Sequence, residues 1–313
     1  MTATAFSLEA LSDIKRRRFA ACDAIQRRTG RQLVFARSEA LELLAVEKPI
    51  EPASERLRAD ADVVVGGVRE KTHLLGVRFL TWNGPIETQR IGGDMLCTSP
   101  PATWAHYAAI LTLEELITLG DSMMRRDGRL TRASLDDFQD YLNRSGRFVG
   151  KDNCRLALTM MRPNTDSSQE TRTRLALLRY GLPEPEVNVR VRLSSGAVVF
   201  LDMAYTELKI AIEYDGGYHR FSGAQVLRDD KRREALENDG WIYIKVTVVD
   251  LRDESGEEAL AQRIASRCET VLGVPVPLIA RLTTRQICDP RRRRKIPLWE
   301  RVPRSRWTAP WAR

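Results

Sequence analysis

The sequence predicts an α/β protein, with a mixed sheet and flanking helices over residues 164–277, an α+β domain before it over residues 1–163 and a basic tail after it over residues 278–313. Three observations lead there. The chain has 313 residues of which 43% are hydrophobic, enough for two cores of ordinary size. Its second half reads as alternating helix-period and strand-period segments in the order α-β-β-β-α-β-α, the grammar of helices packed on a sheet. Arg162-Pro163-Asn164 interrupts the pattern between the halves, as an X-Pro turn does.

Taken in order, residues 1–30 are polar and helical in pattern, with the basic cluster Lys15-Arg16-Arg17-Arg18. Short strand-like runs follow at residues 32–36, 61–65, 75–81 and 94–98. Ser99-Pro100-Pro101 then reads as a break, and helical patterns occupy residues 103–110, 113–125, 134–143 and 151–161. In the second half an amphipathic run over residues 171–180 ends at Gly181-Leu182-Pro183, a glycine stop with proline just beyond. Strands are expected at residues 186–192, 197–205 and 209–215, the last two close enough to form a hairpin. A charged helix over residues 224–238, an apolar strand over 241–249 and a helix over 257–272 close the domain. The charged helix has a thin apolar seam of Leu227, Ala235 and Leu236, narrower than a sheet-covering helix normally carries.

Composition excludes several classes. No stretch approaches the roughly 18 consecutive apolar residues of a membrane span. The N-terminus shows no apolar segment ahead of a cleavage site, so a cytoplasmic protein is expected. The five cysteines (Cys22, Cys97, Cys154, Cys268 and Cys288) are scattered and never spaced as CxxC, which argues for small buried hydrophobes and against disulfides or zinc. The net charge of +8 is concentrated in the tail. Residues 281–313 carry eleven Lys/Arg against Asp289 and Glu300, a local net of +9 that leaves the rest near −1. Arg291, Arg292, Arg293, Arg294 and Lys295 at its centre suit a polyanion such as DNA through counterion release. A solvated, unstructured end is the other reading. Trp299, Trp307 and Trp311 have two readings as well: stacking on bases, or docking the tail onto its own domain.

The hairpin carries the chemistry. On the strand over residues 209–215, Ile210, Ile212 and Tyr214 share one face, and Lys209, Ala211, Glu213 and Asp215 share the other. If the hairpin pairs Asp202 with Glu213, three carboxylates gather at one sheet position. That arrangement is poor for stability but suited to a hard divalent cation such as Mg²⁺ or Mn²⁺. Such an ion activates water and offsets charge developing on a phosphate. His219, after Gly216-Gly217-Tyr218, is a candidate acid/base or phosphate contact. Arg228, Asp229, Arg232 and Arg233 either face the acids or a phosphate backbone, or form a solvated face laced by pairs such as Asp229–Arg233. Glu170 has two readings, since Ser167-x-x-Glu170 is also a capping box. Lys245 is read as a strand residue reaching water, with a charge near the acids as the alternative.

The segments Ser168-Gln169-Glu170…Arg174, Gly181-Leu182-Pro183…Pro185, Leu201-Asp202, Ile212-Glu213-Tyr214-Asp215-Gly216…His219, Arg228-Asp229…Arg232 and Gly240-Trp241 resemble the endonuclease-like DUF559 domain. That domain is related to very-short-patch-repair endonucleases of the PD-(D/E)xK nuclease superfamily. The resemblance covers residues 165–273 and implies a restriction-endonuclease-like fold with Mg²⁺-dependent cleavage of DNA. It implies Asp202 as the first motif's acid and Glu213 as the second's. Asp215 stands where the superfamily usually has lysine, and His219 where the DUF559 pattern has histidine. Residues 31–163 resemble actinobacterial proteins related to the AbiEi antitoxin of type IV toxin–antitoxin systems. The stretches are Ser38-Glu39-Ala40…Leu44, Gly76-Val77-Arg78, Cys97-Thr98-Ser99-Pro100…Trp104 and Leu119-Gly120-Asp121. Those relatives begin with a winged helix, for which residues 1–30 are too short. The expectation is a metal-dependent DNA endonuclease in repair, restriction or phage defence, catalytic at Asp202, Glu213, Asp215, His219 and Glu170. The alternative is a non-catalytic DNA-binding or antitoxin-like regulator that keeps the fold, with a toxin or other protein as partner.

Overall fold

The computed structural model describes residues 7–56, 60–216, 223–292, 298–309 and 311. The chain divides into two compact units, with the division between Ser168 and Gln169 rather than at Pro163. Each contains a mixed sheet flanked by helices, so the protein is α/β. No helix among the described residues is long and apolar enough to cross a membrane.

The first unit opens with α1 (Leu8–Thr29), whose N-cap Ser7 accepts from the Ala10 N–H and whose C-cap Gly30 is left-handed at φ 61°. β1 (Val34–Phe35), α2 (Arg37–Leu43), α3 (Ala53–Arg56), β2 (Ala61–Val65), β3 (Val77–Thr81), β4 (Thr88–Gly92) and β5 (Met95–Thr98) follow. They build a five-stranded sheet in the order β3-β2-β1-β5-β4, parallel at β1–β5 and β2–β3 and antiparallel elsewhere. The helices α4 (Pro100–His106), α5 (Leu113–Met123), α6 (Leu135–Arg144) and α7 (Lys151–Leu158) complete the unit. Ser99-Pro100-Pro101 is a helix start and not a simple break. Ser99 caps α4 by accepting from the Ala102 N–H, and the prolines fill the first helical positions, where a missing N–H costs nothing.

The second unit runs α8 (Ser168–Arg179), β6 (Glu186–Arg192), β7 (Val198–Tyr205), β8 (Ile210–Tyr214), α9 (Gly223–Asn238), β9 (Ile242–Val246), α10 (Glu254–Leu272) and α11 (Thr284–Ile287). Its sheet has the order β6-β7-β8-β9, antiparallel until the parallel β8–β9 pair. β7 and β8 form the expected hairpin through a 3₁₀ turn at Thr206–Leu208 and a left-handed Lys209 at φ 48°. β9 is shorter than the apolar run suggests. Thr247 and Asp250 close a capping box that turns the chain into a 3₁₀ segment, Val248–Leu251.

Alternation along β8 separates two cores. Ile210 and Ile212 face a large cluster with Met203, Tyr205, Ile244, Leu260, Ile264 and Leu272. Ala211 faces a smaller one with Leu201, Leu236 and Trp241, to which Leu236 and Ala235 are the contributors among the described side chains of α9. All five cysteines are buried. The tryptophans of the tail belong to the large core. Trp299 and Trp307 are 7% and 4% exposed, Trp311 packs against the same cluster, and the Trp299 ring lies 4.9 Å from that of Tyr205. Thr308 donates its N–H to the Val271 carbonyl at 2.9 Å. Docking of the tail onto its own domain, one of the two readings of its tryptophans, therefore holds for these residues. A solvated end does not describe them.

Trp307→Ala empties a core site, and such truncations cost about 3–5 kcal/mol. Urea denaturation should show a loss of this size in the second unit's transition. A midpoint equal to wild type would mean that the tail does not stabilise this core.

Candidate functional site

The hydrogen-bonded pairing of β7 with β8 runs from Tyr205↔Ile210 to Met203↔Ile212. Continued by one residue, that register sets Asp202 across from Glu213. There the ladder stops, and the Asp202 carboxylate accepts the Tyr214 N–H at 3.0 Å. On the β6 side, Asn188, which would lie opposite Asp202, is left-handed at φ 50°, and it falls between the registered pairs Val187↔Met203 and Val189↔Leu201. The sheet is thus opened at Asp202 on both flanks.

Glu213 lies on the Ala211 face of β8, beneath α9, and is 6% exposed. Arg232 of α9 grips it bidentately, with Nη1–Oε2 at 3.0 Å and Nη2–Oε1 at 2.6 Å. The same guanidinium also donates to the Phe200 carbonyl, left open by the parted strands. Tyr243, which pairs with Ala211 across β8–β9, lies beside Glu213 on the same face of the sheet and favours its charged form from that side. Burial first, and the nearby Asp202 charge second, push the Glu213 carboxyl up from 4.5 to about 7 against the pull of Arg232 and Tyr243. Burial and the Glu213 charge in turn raise the Tyr243 phenol.

Asp215 shares the face of Glu213 but has a different partner. Lys245, in register with Glu213 on β9, places its ammonium on the Asp215 carboxylate. Both readings of Lys245 therefore hold in part: its side chain reaches water and also sets a positive charge beside an acid. In the parallel β8–β9 register its side chain emerges on the acid face, and a carboxylate two residues along captures it. Among the described residues no group of three or more His, Cys, Asp or Glu is placed to hold a metal ion. The acids divide instead into a close Asp202–Glu213 pair and an Asp215–Lys245 ion pair.

The other expected residues are scattered. Glu170 is buried in the first turn of α8, directly after Ser167, at capping-box spacing. Arg232 faces the acids, one of the two readings of that helix. Arg233 pairs with Glu237 at 2.8 Å and lies over the Tyr243 ring. Arg291 and Arg292 are exposed, Arg291 forking onto Asp289. His219, Arg293, Arg294, Lys295 and the Arg228 side chain lie outside the described residues. Sequence reasoning missed Tyr243. Its signal was the period-two alternation that puts Tyr243 and Lys245 on one face of β9.

Among curated proteins the chain is similar to two from Mycobacterium tuberculosis, "Uncharacterized protein MT2308" of strain CDC 1551 / Oshkosh and "Uncharacterized protein Rv2248" of strain ATCC 25618 / H37Rv. Each is 27% identical over 202 residues, covering 62% of this chain and 72% of the relative. No family model matches the chain, and no solved structure does.

The raised carboxyl of Glu213 sets a pH dependence. The folded state holds its proton up to about pH 7, while the unfolded chain releases it near 4.5. The native state therefore binds more protons in that window, and stability falls as pH rises through it, by up to roughly 3 kcal/mol. Glu213→Gln should lack this component, so it gains on wild type between pH 4.5 and 7 in urea denaturation. Parallel stability–pH curves for the two proteins would contradict the assignment.

Proposed function

We propose that the second unit is a metal-dependent DNA endonuclease of restriction-endonuclease-like type, acting in repair, restriction or phage defence. The observation that carries this reading is the Asp202–Glu213 pair at the point where the β7–β8 ladder opens. An Asp202 charge close enough to help raise the Glu213 carboxyl is a liability unless a cation joins the two. Magnesium sites in phosphate chemistry commonly use one or two protein carboxylates and take the remaining oxygens from water and substrate, so this donor set fits Mg²⁺ or Mn²⁺. Asp202 and Glu213 would hold the ion, with Asp215 as neighbour. A divalent ion bound there would polarise a phosphate oxygen and lower the pKa of a coordinated water.

The chain's own residues fit around that role. Tyr243 flanks Glu213 from the sheet side and favours its charged form. Arg232 neutralises Glu213 from the helix side and supplies a fork that matches a phosphate as well as a carboxylate. Lys245 gives a positive charge where the superfamily resembled by this sequence has its lysine, but reaches that place from β9. Asp215 thereby does not lie as a bare third negative charge beside the pair. His219 is the proposed acid/base, and Glu170 a further acid. The exposed arginines Arg291 and Arg292 suit a phosphate backbone, with DNA as the partner.

A second reading is favoured by one observation: both Glu213 and Asp215 are already charge-paired within the chain. That suits a non-catalytic DNA-binding or antitoxin-like regulator which keeps the fold, consistent with the AbiEi-like stretches of the first unit and with a toxin as partner.

The two readings separate in one assay. Purified protein is incubated with supercoiled plasmid and oligonucleotide duplexes, with Mg²⁺ or Mn²⁺ and with EDTA. The endonuclease reading expects nicked or linear products with either ion, none with EDTA, and none from Glu213→Gln. Cleavage at the wild-type rate by Glu213→Gln would place the active site elsewhere. DNA retention without cleavage, together with no metal binding, would favour the regulator.

A further inference from the structure

The first unit contains a cavity of about 270 Å³ lined by Arg37, Val64, Lys71, Phe79, Leu80, Thr81, Trp82 and His106. It draws on the edge strand β3 and the adjoining β2, on the start of α2 and on the end of α4. Buried polar groups in folded proteins nearly always have hydrogen-bond partners. Among the described residues of the first unit, five buried side-chain atoms have none, and four of them belong to residues lining this cavity: Arg37 Nε, Thr81 Oγ1, and both ring nitrogens of His106. Unmet hydrogen-bonding capacity is thus concentrated in the residues around this one hollow.

Three further features agree. Arg37 is left-handed at φ 49°, a conformation costly for a residue with a side chain and held only where its surroundings impose it. Its guanidinium is weakly claimed. Glu55 and Asp62 stand 3.5 and 3.9 Å from its Nη1, while Arg78 binds the same two carboxylates more closely. Lys71 is exposed at the rim. The walls are tied to their surroundings: the Trp82 indole donates to the Tyr141 hydroxyl at 3.0 Å and meets the His106 ring edge-on at 4.3 Å.

We propose that this cavity binds a small organic molecule with an oxyanion head and an apolar body. The head is met by Arg37 and Lys71, with the Thr81 hydroxyl and one ring N–H of His106 as further donors. The body lies among Val64, Phe79, Leu80 and Trp82. His106, 4% exposed, is pushed down to about 3 by burial and by Arg37, so at neutral pH its ring offers one donor and one acceptor and adds no charge. Two cations and a hydroxyl favour an anion over a neutral or cationic ligand. The volume lies just below the ordinary range of about 300–1,000 Å³ for ligand pockets, which limits the ligand to a fragment-sized acid.

The chain has three histidines, His73, His106 and His219, so the imidazole signals of the full-length protein are few enough to follow by two-dimensional ¹H–¹⁵N NMR. Benzoate and phenyl phosphate are titrated separately, one for each source of the oxyanion, and benzyl alcohol serves as the uncharged control. Saturable movement of the His106 signals by either acid, in the millimolar range expected of a ligand this small, and not by benzyl alcohol, supports the site. Which acid acts tells a carboxylate from a phosphate ester. Lys71→Met, at an exposed position, should preserve the spectrum and weaken binding about tenfold, the loss of one charge-assisted hydrogen bond. Thr81→Val should weaken it without changing the charge. No movement with either acid, equal movement with benzyl alcohol, or unchanged affinity in both variants would overturn the proposal.

Discussion

The second unit is organised around one buried carboxylate. Glu213 sits 6% exposed at the end of a central strand, beside a second acid, with an arginine from the overlying helix as its charge partner. A buried charge is tolerated only when paired and hydrogen-bonded, and removing one partner of such a pair is far more damaging than never having had it. That single requirement accounts for much of the local construction. The β7–β8 ladder stops one residue short of Asp202, and side chains bond to the backbone there: Asp202 accepts from the Tyr214 N–H, and Arg232 donates to the Phe200 carbonyl. The thin apolar seam of α9 follows as well. A helix that delivers a guanidinium into the sheet face gives up part of its apolar stripe there, and among its described side chains Leu236 is the fully buried one.

The hairpin was legible from sequence because its information is local. Period-two alternation separates Ile210 and Ile212 from Ala211 and Glu213, and the short connection fixes the antiparallel register that brings Asp202 to Glu213. The pairings that decide the electrostatics were not legible, because they are set by long-range register. Lys245 meets Asp215 only through the parallel alignment of β8 with β9, an alignment that a 27-residue crossover hides from local pattern. Tyr243 depends on the same alignment. His219 and most of the arginine run fall in segments outside the described residues, so their expected roles rest on the sequence alone.

In the first unit the misreadings have equally specific causes. Ser99-Pro100-Pro101 has the composition of a loop, yet serine as cap and proline at the first helical positions are what a helix start requires. β4 was missed because it is an exposed edge strand, whose sequence Thr-Gln-Arg-Ile-Gly lacks apolar alternation. α2 was missed because no side chain caps it, and it opens on a left-handed arginine. That same residue turns out to border a cavity with unmet hydrogen-bonding capacity. Departures from local pattern in a fold are often places where structure serves something other than its own stability. In the tail the reverse holds: a composition that suggests a solvated end conceals tryptophans that complete the main core.

The central claim is that Asp202 and Glu213 together form a cation site, and calorimetric titration of Mn²⁺ into the intact chain tests it most directly. Wild type is expected to bind an ion, and Asp202→Asn combined with Glu213→Gln is expected to lose that binding while remaining folded. Equal binding by wild type and the double variant would contradict the account, since the two carboxylates would then have no part in holding the ion.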